Sequence, residues 1–372
     1  MERPYDVAII GGGLAGCAAA IRLLQSRPEA RVLVLERGRY PRQKVCGEFL
    51  SAEGVAALKQ LGSESATLQQ NIRSAVVIAR AKLHALGRSA EFPVSPAALS
   101  ISRFDLDPAL WHRAISLGAD CRQECAVKKI EGSGPFLLRT SSAEFRARSV
   151  INAAGHWSSF ADARPGQKNG HHWIGLKAHY RERSPNDAVE LYFFSHGYCG
   201  VQPVSENAVN ACAMVRADVA TRLDQVFALN PALKARSQDW QPMMEPIATA
   251  PLFFRRPEPL TNSAFNAGDA AGFIDPFSGN GMTLALQSGL LAAECVAEYI
   301  AGSAELDAAL ALYAARYRRQ LHGSFRRVAW ARALLNLPRP AASAALRFLK
   351  LPGMGRLLVS KTRSSASLQP AL

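Results

Sequence analysis

A glycine-rich motif near the N-terminus has the residue types and spacing of a phosphate-binding turn. The motif is Gly11-Gly12-Gly13-Leu14-Ala15-Gly16, and it contains GxGxxG. It stands between an apolar, β-rich run at residues 5–10 and an alanine-rich helical pattern, and the next apolar run ends at Glu36. Gly11 permits a tight turn, Gly13 admits a pyrophosphate and Gly16 lets helix and strand pack, while the acid accepts hydrogen bonds from ribose hydroxyls. The pattern predicts a βαβ unit that binds a dinucleotide.

A second glycine-rich segment lies far along the chain and carries an acid and a proline. An apolar run leads into Gly268-Asp269, and Pro276 is followed by Gly279-Asn280-Gly281-Met282 and then by a long helical pattern. Amides at a helix N-terminus stabilise negative charge. This segment therefore predicts a second contact with the dinucleotide.

The stretch after Glu36 holds a cysteine among basic residues. Residues 37–54 include Arg37, Arg42, Lys44, Cys46 and Gly47. A cationic environment lowers the pKa of a thiol, so a reactive cysteine fits this pattern. A small buried cysteine followed by a structural turn at the glycine fits it as well.

Together these motifs resemble those of FAD-dependent oxidoreductases of the geranylgeranyl reductase-like and aromatic hydroxylase-like flavoprotein superfamily. The resemblance rests on GxGxxG, on the Gly-Asp segment with its proline and glycine-rich helix start, and on Pro-x-x-Lys-x-Cys-Gly at residues 41–47. It implies that Asp269 bonds the ribityl chain and phosphate of FAD and that Cys46 and Gly47 line the flavin. The residues that we predict to bind FAD are Gly11, Gly13, Leu14, Ala15, Gly16, Glu36, Arg37, Arg42, Lys44, Cys46, Gly47, Arg103, Ala154, Gly155, Gly268, Asp269, Pro276, Gly279, Asn280, Gly281 and Met282.

Two reactions fit the resemblance. In the first, NAD(P)H reduces FAD, which then reduces a C=C bond of a lipophilic, isoprenoid or polyketide-like substrate, with Cys46 and Tyr198 as catalytic candidates. The alternative is a monooxygenase that hydroxylates an aromatic substrate through a flavin hydroperoxide. The Tyr-x-Trp-x-Phe-Pro element of geranylgeranyl reductases reads Tyr198-Cys199-Gly200-Val201-Gln202-Pro203 here, which leaves both reactions open. The Trp-x-Trp-x-Ile-Pro motif of flavin halogenases is absent.

The electron donor and a third class of protein remain to be considered. The sequence has no second GxGxxG, so NAD(P)H would bind without a domain of its own, or a separate reductase would supply the electrons. A flavin-binding protein without catalytic activity, recruited to membranes by a basic tail, is also compatible with the motifs.

The elements that must position these residues form an α/β fold. We expect a Rossmann-like FAD-binding domain interleaved with an antiparallel β-sheet that binds the substrate, followed by a helical C-terminal tail. The predicted segments are residues 1–75, 99–165 and 263–325 for FAD, 76–98 and 166–262 for the substrate sheet, and 326–372 for the tail. The candidates for the pocket wall are Tyr192, Phe194, Tyr198 and Gln202, and those for acid–base groups are His156 and His196.

Composition and charge narrow the partners. Residues 316–372 hold 12 of the 44 Lys and Arg and none of the 30 Asp and Glu, which accounts for most of the net charge of +14. Such a tail suits either a solvated pair of capping helices or an anionic membrane surface. No nucleic-acid motif accompanies it, so we expect a small apolar or aromatic substrate and no nucleic acid.

Simple sequence patterns also predict the cellular location of the protein and whether it binds a metal. No run approaches the roughly 18 apolar residues of a membrane-spanning helix, and the N-terminus does not read as a signal peptide. We therefore expect a cytoplasmic protein with seven reduced cysteines, with membrane-peripheral contact as the alternative. His171-His172 lacks a third ligand nearby, so no metal site is expected.

Overall fold

The computed structural model describes residues 3–62, 64–156, 172–254 and 256–335. The strands are β1 (Tyr5–Ile10), β2 (Val32–Leu35), β3 (Phe49–Leu50), β4 (Val76–Ala85), β5 (Arg88–Ser100), β6 (Asp120–Arg122), β7 (Val127–Glu131), β8 (Phe136–Thr140), β9 (Glu144–Asn152), β10 (Trp173–Arg181), β11 (Ala188–Phe194), β12 (Gly197–Ser205), β13 (Ala208–Arg216), β14 (Gln241–Pro242), β15 (Ile247–Ala248), β16 (Leu260–Thr261) and β17 (Ala264–Asn266). The helices are α1 (Leu14–Ser26), α2 (Ala52–Gly62), α3 (Ala66–Ser74), α4 (Arg103–Ser116), α5 (Leu223–Ala228), α6 (Pro231–Arg236), α7 (Gly281–Ile300), α8 (Leu306–Gln320) and α9 (His322–Leu335).

The first sheet contains the predicted βαβ unit. Its strand order is β16-β17-β9-β1-β2-β6, with β8 beside β9 and β7 beside β8. Strand β1 pairs in parallel with β2 on one side and with β9 on the other. Both faces of β1 are covered, because Val7 and Ile9 pack against α1 and its neighbours while Ala8 and Ile10 pack into a separate cluster. Continuous apolar residues in a short strand are typical of such a doubly covered parallel sheet.

Close packing of two helices brings the two glycine-rich motifs together. A Cβ atom on Gly289 of α7 would lie 2.2 Å from the carbonyl oxygen of Ala15 in α1, so the helices touch backbone to backbone. At the same end of these helices, a Cβ atom on Gly268 would lie 3.0 Å from the Cβ of Ala15. The start of α1 and the Gly268-Asp269 turn are therefore neighbours.

The second sheet has the order β14-β10-β13-β12-β11-β4-β5-β3, with β15 also beside β10. One of its faces carries an apolar cluster to which Leu223, Val226 and Phe227 of α5 and Leu233 of α6 contribute. The sheet is antiparallel, as predicted, at every described pair except one, because β4 and β11 pair in parallel. These strands come from segments far apart in the chain, so no tight turn forces them to run in opposite directions.

The strand limits also differ from the predicted segments. Strand β5 extends to Ser100, beyond the predicted limit at residue 98, and Phe49–Leu50, expected in the FAD-binding part, pairs with the end of β5. Most of the predicted tail, residues 336–372, lies outside the described residues. Among the helices that the structure describes, none has the length and apolarity that a membrane crossing requires.

Candidate active site

A large cavity lies between the two sheets. Its volume is about 2530 Å³, whereas sites for small molecules and cofactors usually occupy roughly 300–1,000 Å³. Every residue predicted to bind FAD lines this cavity except Gly16. A Cβ atom on Gly16 would lie 1.8 Å from the carbonyl oxygen of Gly11, so this glycine serves the packing of α1 on β1, the role that its spacing predicts.

One end of the cavity is suited to a pyrophosphate. The helix α1 begins immediately after Gly13, so its unpaired amides face this end. A Cβ atom on Gly13 would lie 3.5 Å from Lys44 Nζ and 3.9 Å from Arg103 Nη2, so a side chain here would fill the space between two cations. Helix amides with flanking cations form an anion site. The space above Gly13 therefore fits the phosphates of a dinucleotide.

A buried carboxylate holds the two cations in place. Asp107, which is 1% exposed, accepts hydrogen bonds from Arg103 Nε and Nη2 at 2.6 and 2.8 Å. Its other ion pair joins Lys44 Nζ to Oδ2 at 2.6 Å. Burial alone would raise the pKa of Asp107, but the neighbouring guanidinium and ammonium outweigh it and lower the pKa to about 2. Burial in turn lowers the pKa of Lys44.

Sequence reasoning missed the role of Asp107. The available signal was its spacing of four residues from Arg103 inside a helix, which places the two side chains on one face. Nothing in the local sequence indicated that Lys44, from another segment, would share the same carboxylate.

Glu36 stands at the end of β2, as its spacing predicts. It is 3% exposed and accepts hydrogen bonds from Gly12 N at 2.9 Å, from Gly38 N at 2.8 Å and from Arg42 Nη2 at 2.7 Å. A carboxylate offers about four acceptor positions. One position therefore remains for a ribose hydroxyl on the cavity side.

The second glycine-rich segment also lines the cavity. Residues Pro276–Ser278 make a short 3-10 turn, and Gly279 follows with φ of +68°, a left-handed conformation that favours glycine. A Cβ atom on Gly279 would lie 2.7 Å from the Phe49 ring, so space and backbone both require glycine here. Helix α7 begins at Gly281 and presents its first amides to the cavity.

Cys46 and Gly47 also line the cavity. The Cys46 carbonyl accepts a hydrogen bond from Asn210 Nδ2 at 2.9 Å, and its Sγ accepts one from Glu48 N at 3.3 Å. Apart from Gly47 and its two chain neighbours, no atom of the residues that the structure describes lies within 4 Å of a Cβ built on Gly47, so the space in front of this residue is open. The geometry leaves room for a ring system against this wall, while the catalytic role of Cys46 stays a prediction.

The remainder of the cavity is an apolar chamber under the second sheet. The ring of Tyr198 packs against those of Phe193 and Phe277, with centroids 5.9 and 6.2 Å away. The other apolar residues of the chamber include Ala81, Leu83, Phe92, Val94, Val189, Leu191 and Leu252.

Three of the four predicted wall residues line the cavity. They are Phe194, Tyr198 and Gln202. The placement of Tyr192 was wrong, because its ring stacks on His84 and its hydroxyl donates to Glu190 at 3.0 Å on the opposite face. Side chains alternate along a strand, and Leu191 and Phe193 occupy the cavity side.

The histidine predictions have different outcomes. His156 lines the cavity, and its Nε2 accepts a hydrogen bond from Phe253 N at 3.1 Å, which places the ring proton on Nδ1. His196 was wrongly placed near the flavin, because it lies away from the cavity and contacts Arg216. His172 is exposed, and His171 lies outside the described residues. Within the described part of the chain, no cluster of three or more His, Cys, Asp or Glu could hold a metal.

Several known proteins are similar to this chain in sequence. Residues 4–323 match the family described as FAD binding domain. Menaquinone reductase of Mycobacterium tuberculosis is 27% identical over 329 residues, which are 78% of this chain and 76% of that protein. Digeranylgeranylglycerophospholipid reductase of Methanococcus vannielii is 23% identical over 337 residues, 86% of this chain and 83% of that protein. Conditioned medium factor receptor 1 of Dictyostelium discoideum is 24% identical over 323 residues, 78% of this chain but only 63% of that longer protein.

Solved structures share the fold. A geranylgeranyl bacteriochlorophyll reductase-like protein from Thermoplasma acidophilum superimposes with a TM-score of 0.78 at 20% identity, over 97% of this chain and 96% of that one. A flavin-dependent brominase reaches the same TM-score at 19% identity, over 97% and 93% of the two chains. The sequence motifs, the phosphate-binding end of the cavity and the family match agree. The chain belongs to the FAD binding domain family, and it is an FAD-dependent oxidoreductase whose relatives include proteins named reductases.

Proposed function

We propose that this enzyme uses electrons from NAD(P)H to reduce a C=C bond of a lipophilic, isoprenoid or polyketide-like substrate. The observation that carries the proposal is the continuity of the cavity. One space joins the phosphate-binding end at Gly13 to the apolar chamber around Phe193 and Tyr198. A cofactor and an apolar substrate can therefore occupy the same space with their reacting parts in contact.

Some residues of the chain would bind FAD, and others would keep water away from the substrate. Gly13, Lys44 and Arg103 would hold the phosphates of FAD, and Glu36 would accept from its ribose. FAD, when bound, supplies hydride transfer, which is chemistry that protein side chains do not perform. The apolar chamber excludes water and favours a substrate with little charge.

A reduction of C=C also needs a proton. Tyr198 lies in the chamber with its ring between Phe193 and Phe277, and it is 7% exposed. Its Oη is our candidate for the proton donor to the second carbon of the double bond. Cys46, in the wall near the helix start at Gly281, is the candidate neighbour of the reacting atoms.

The relatives support the reductase over the hydroxylase. Two of the three relatives described above are named reductases of menaquinone and of a digeranylgeranyl lipid, both of which carry isoprenoid chains. The apolar lining of the chamber suits such chains.

The test is product analysis with and without oxygen. The FAD-loaded enzyme is mixed with NADPH or NADH and with either menaquinone or a digeranylgeranylglycerophospholipid, and the products are analysed by mass spectrometry. We expect the gain of two hydrogens in the complete absence of O2. A product that gains one oxygen atom, and that forms only when O2 is present, would refute the reductase and establish the monooxygenase.

A variant tests the proton donor. Tyr198→Phe should lower kcat at least about tenfold, within the range of general-acid contributions, and leave the affinity for FAD unchanged. The same kcat in both proteins would remove Tyr198 from the mechanism. Phe92→Leu, in the same chamber, is the control for a change of packing alone.

A further inference from the structure

A buried ion cluster is centred on Glu48, which lines the cavity beside Cys46 and Gly47. Glu48 and Lys177 have fully buried side chains, and Lys177 Nζ lies 2.6 Å from Glu48 Oε1. His179 Nε2 lies 2.8 Å from Glu48 Oε2, and its side chain is 14% exposed. Both partners come from β10 of the second sheet, and Gln43 Oε1 accepts a further hydrogen bond from Lys177 at 3.0 Å.

The backbone of Glu48 is held as firmly as its side chain. Its φ is +60°, a left-handed conformation that is uncommon for residues other than glycine. Its N–H donates to Cys46 Sγ at 3.3 Å, and its carbonyl accepts from Ile101 N at 3.0 Å. Such a conformation persists only where its surroundings impose it.

The same carboxylate also reaches the phosphate-binding end. Glu48 Oε1 accepts a hydrogen bond from Arg103 N at 2.9 Å, at the first residue of α4. The side chain of Glu48 thus links its own segment, next to the Cys46–Gly47 wall, to β10 and to the start of α4. Its bonds with Arg103, Lys177 and His179 join residues 55, 129 and 131 positions apart.

An ion cluster in this place is not explained by stability alone. Removing charges from water is costly, and a well-packed apolar group of similar size would often stabilise the protein as well or better. The cluster fixes the orientation of the Glu48 side chain, because each carboxylate oxygen accepts hydrogen bonds from its own donors. Such directional hydrogen bonds can hold the Cys46–Gly47 wall of the cavity in one position.

We propose that Glu48 is a positioning residue that fixes the Cys46–Gly47 wall and the start of α4 against the second sheet through Lys177 and His179. Glu48 itself lines the cavity, and it would set the environment of the flavin mainly through the segments that it holds. The inference rests on FAD occupying the cavity, as in the function proposed above.

The experiment compares two buried glutamates of the same kind. Glu48→Gln keeps the size and removes the charge. Glu190→Gln is the matched control, because Glu190 is 4% exposed, also sits in an ion cluster, with His84 at 2.6 Å and Arg236 at 2.9 Å, and does not itself line the cavity. The measurements are the Kd for FAD, by quenching of flavin fluorescence, and the visible circular dichroism of the bound flavin.

We expect Glu48→Gln to raise the Kd for FAD about tenfold, equivalent to about 1.4 kcal/mol, and to change the flavin circular dichroism. Glu190→Gln should keep both at the wild-type values, although each variant lowers the stability of the protein without FAD. If Glu48→Gln does not fold, the double variant Glu48→Gln/Lys177→Met removes both charges. It should recover stability and still show the altered Kd and spectrum.

Two outcomes would overturn the inference in different ways. A wild-type Kd and spectrum in Glu48→Gln or in the double variant would mean that the cluster serves only the fold. Failure of the wild-type protein to bind FAD would overturn the proposed function and this inference with it.

Discussion

Replacing Asp107 by asparagine removes the carboxylate that Arg103 and Lys44 share. In the wild-type protein this carboxylate is 1% exposed, and its pKa is lowered from 3.8 to about 2. A shift in this direction means that the ionised carboxylate stabilises the folded protein at neutral pH, by roughly a few kcal/mol. The substitution also leaves two buried cations without their counter-charge, and removing one partner of a buried pair typically costs about 3–5 kcal/mol.

The assay is urea unfolding of the protein without FAD, followed by titration with FAD. We expect Asp107→Asn to lower the free energy of unfolding by about 3–5 kcal/mol and to weaken FAD binding by about tenfold or more. Glu294→Gln, which breaks the pairs of Glu294 with Arg22 and Arg316, all three side chains being roughly one-third exposed, is the control and should cost less than about 1 kcal/mol. A loss in Asp107→Asn as small as in this control would refute the reasoning.

The pH dependence has a defined sign. Because the pKa of Asp107 is lowered in the folded state, its stabilising effect is present above the unfolded value of 3.8 and is lost as the pH falls towards about 2. The wild-type protein should therefore lose this part of its stability in that acid range. Asp107→Asn should lack that part of the acid transition, and identical acid profiles would contradict the assignment.

Three further predictions concern the glycines, the cysteine and the tail. Gly13→Ala should keep the unfolding midpoint and weaken FAD binding, because the new methyl group meets only the ends of two cationic side chains. Gly16→Ala should lower the free energy of unfolding by at least about 1–3 kcal/mol, because its methyl group would contact the backbone of Gly11. Equal stabilities of the two variants would contradict this geometry. Cys46→Ser should slow substrate turnover more than it weakens FAD binding, and an unchanged rate would remove this residue from the site. We propose that the basic tail contacts anionic membranes, so deletion of residues 341–372 should reduce binding to anionic liposomes, and unchanged binding would exclude that contact.

Local signals were sufficient for the dinucleotide-binding unit. The turn at Gly11 needs a positive φ, which is +101° in the structure, and close packing needs a glycine at position 16. Such requirements act over a few residues, so they leave a readable pattern in the sequence. The same holds for Gly279, which has a φ of +68° and lies just before the start of α7.

Long-range contacts left no such pattern. Lys177 and Glu48 are separated by 129 residues, and the bond between them depends on how β10 lies against the Cys46 segment. The side that Tyr192 faces depends on the register of β11 against β4, and a shift of one residue would reverse it. The parallel pairing of β4 and β11 likewise arises from the arrangement of whole segments.

The sequence by itself determined that this chain binds a dinucleotide and which backbone positions must be glycine, because backbone conformation and helix starts are local properties. Its motifs also placed FAD and the family correctly. Only the tertiary structure decided that Asp107 serves both Arg103 and Lys44, that Glu48 joins β10 to the start of α4, and that the phosphate-binding end opens into an apolar chamber. Those features depend on which distant segments share a buried volume, and burial and charge pairing act on neighbours in space and not on neighbours in sequence.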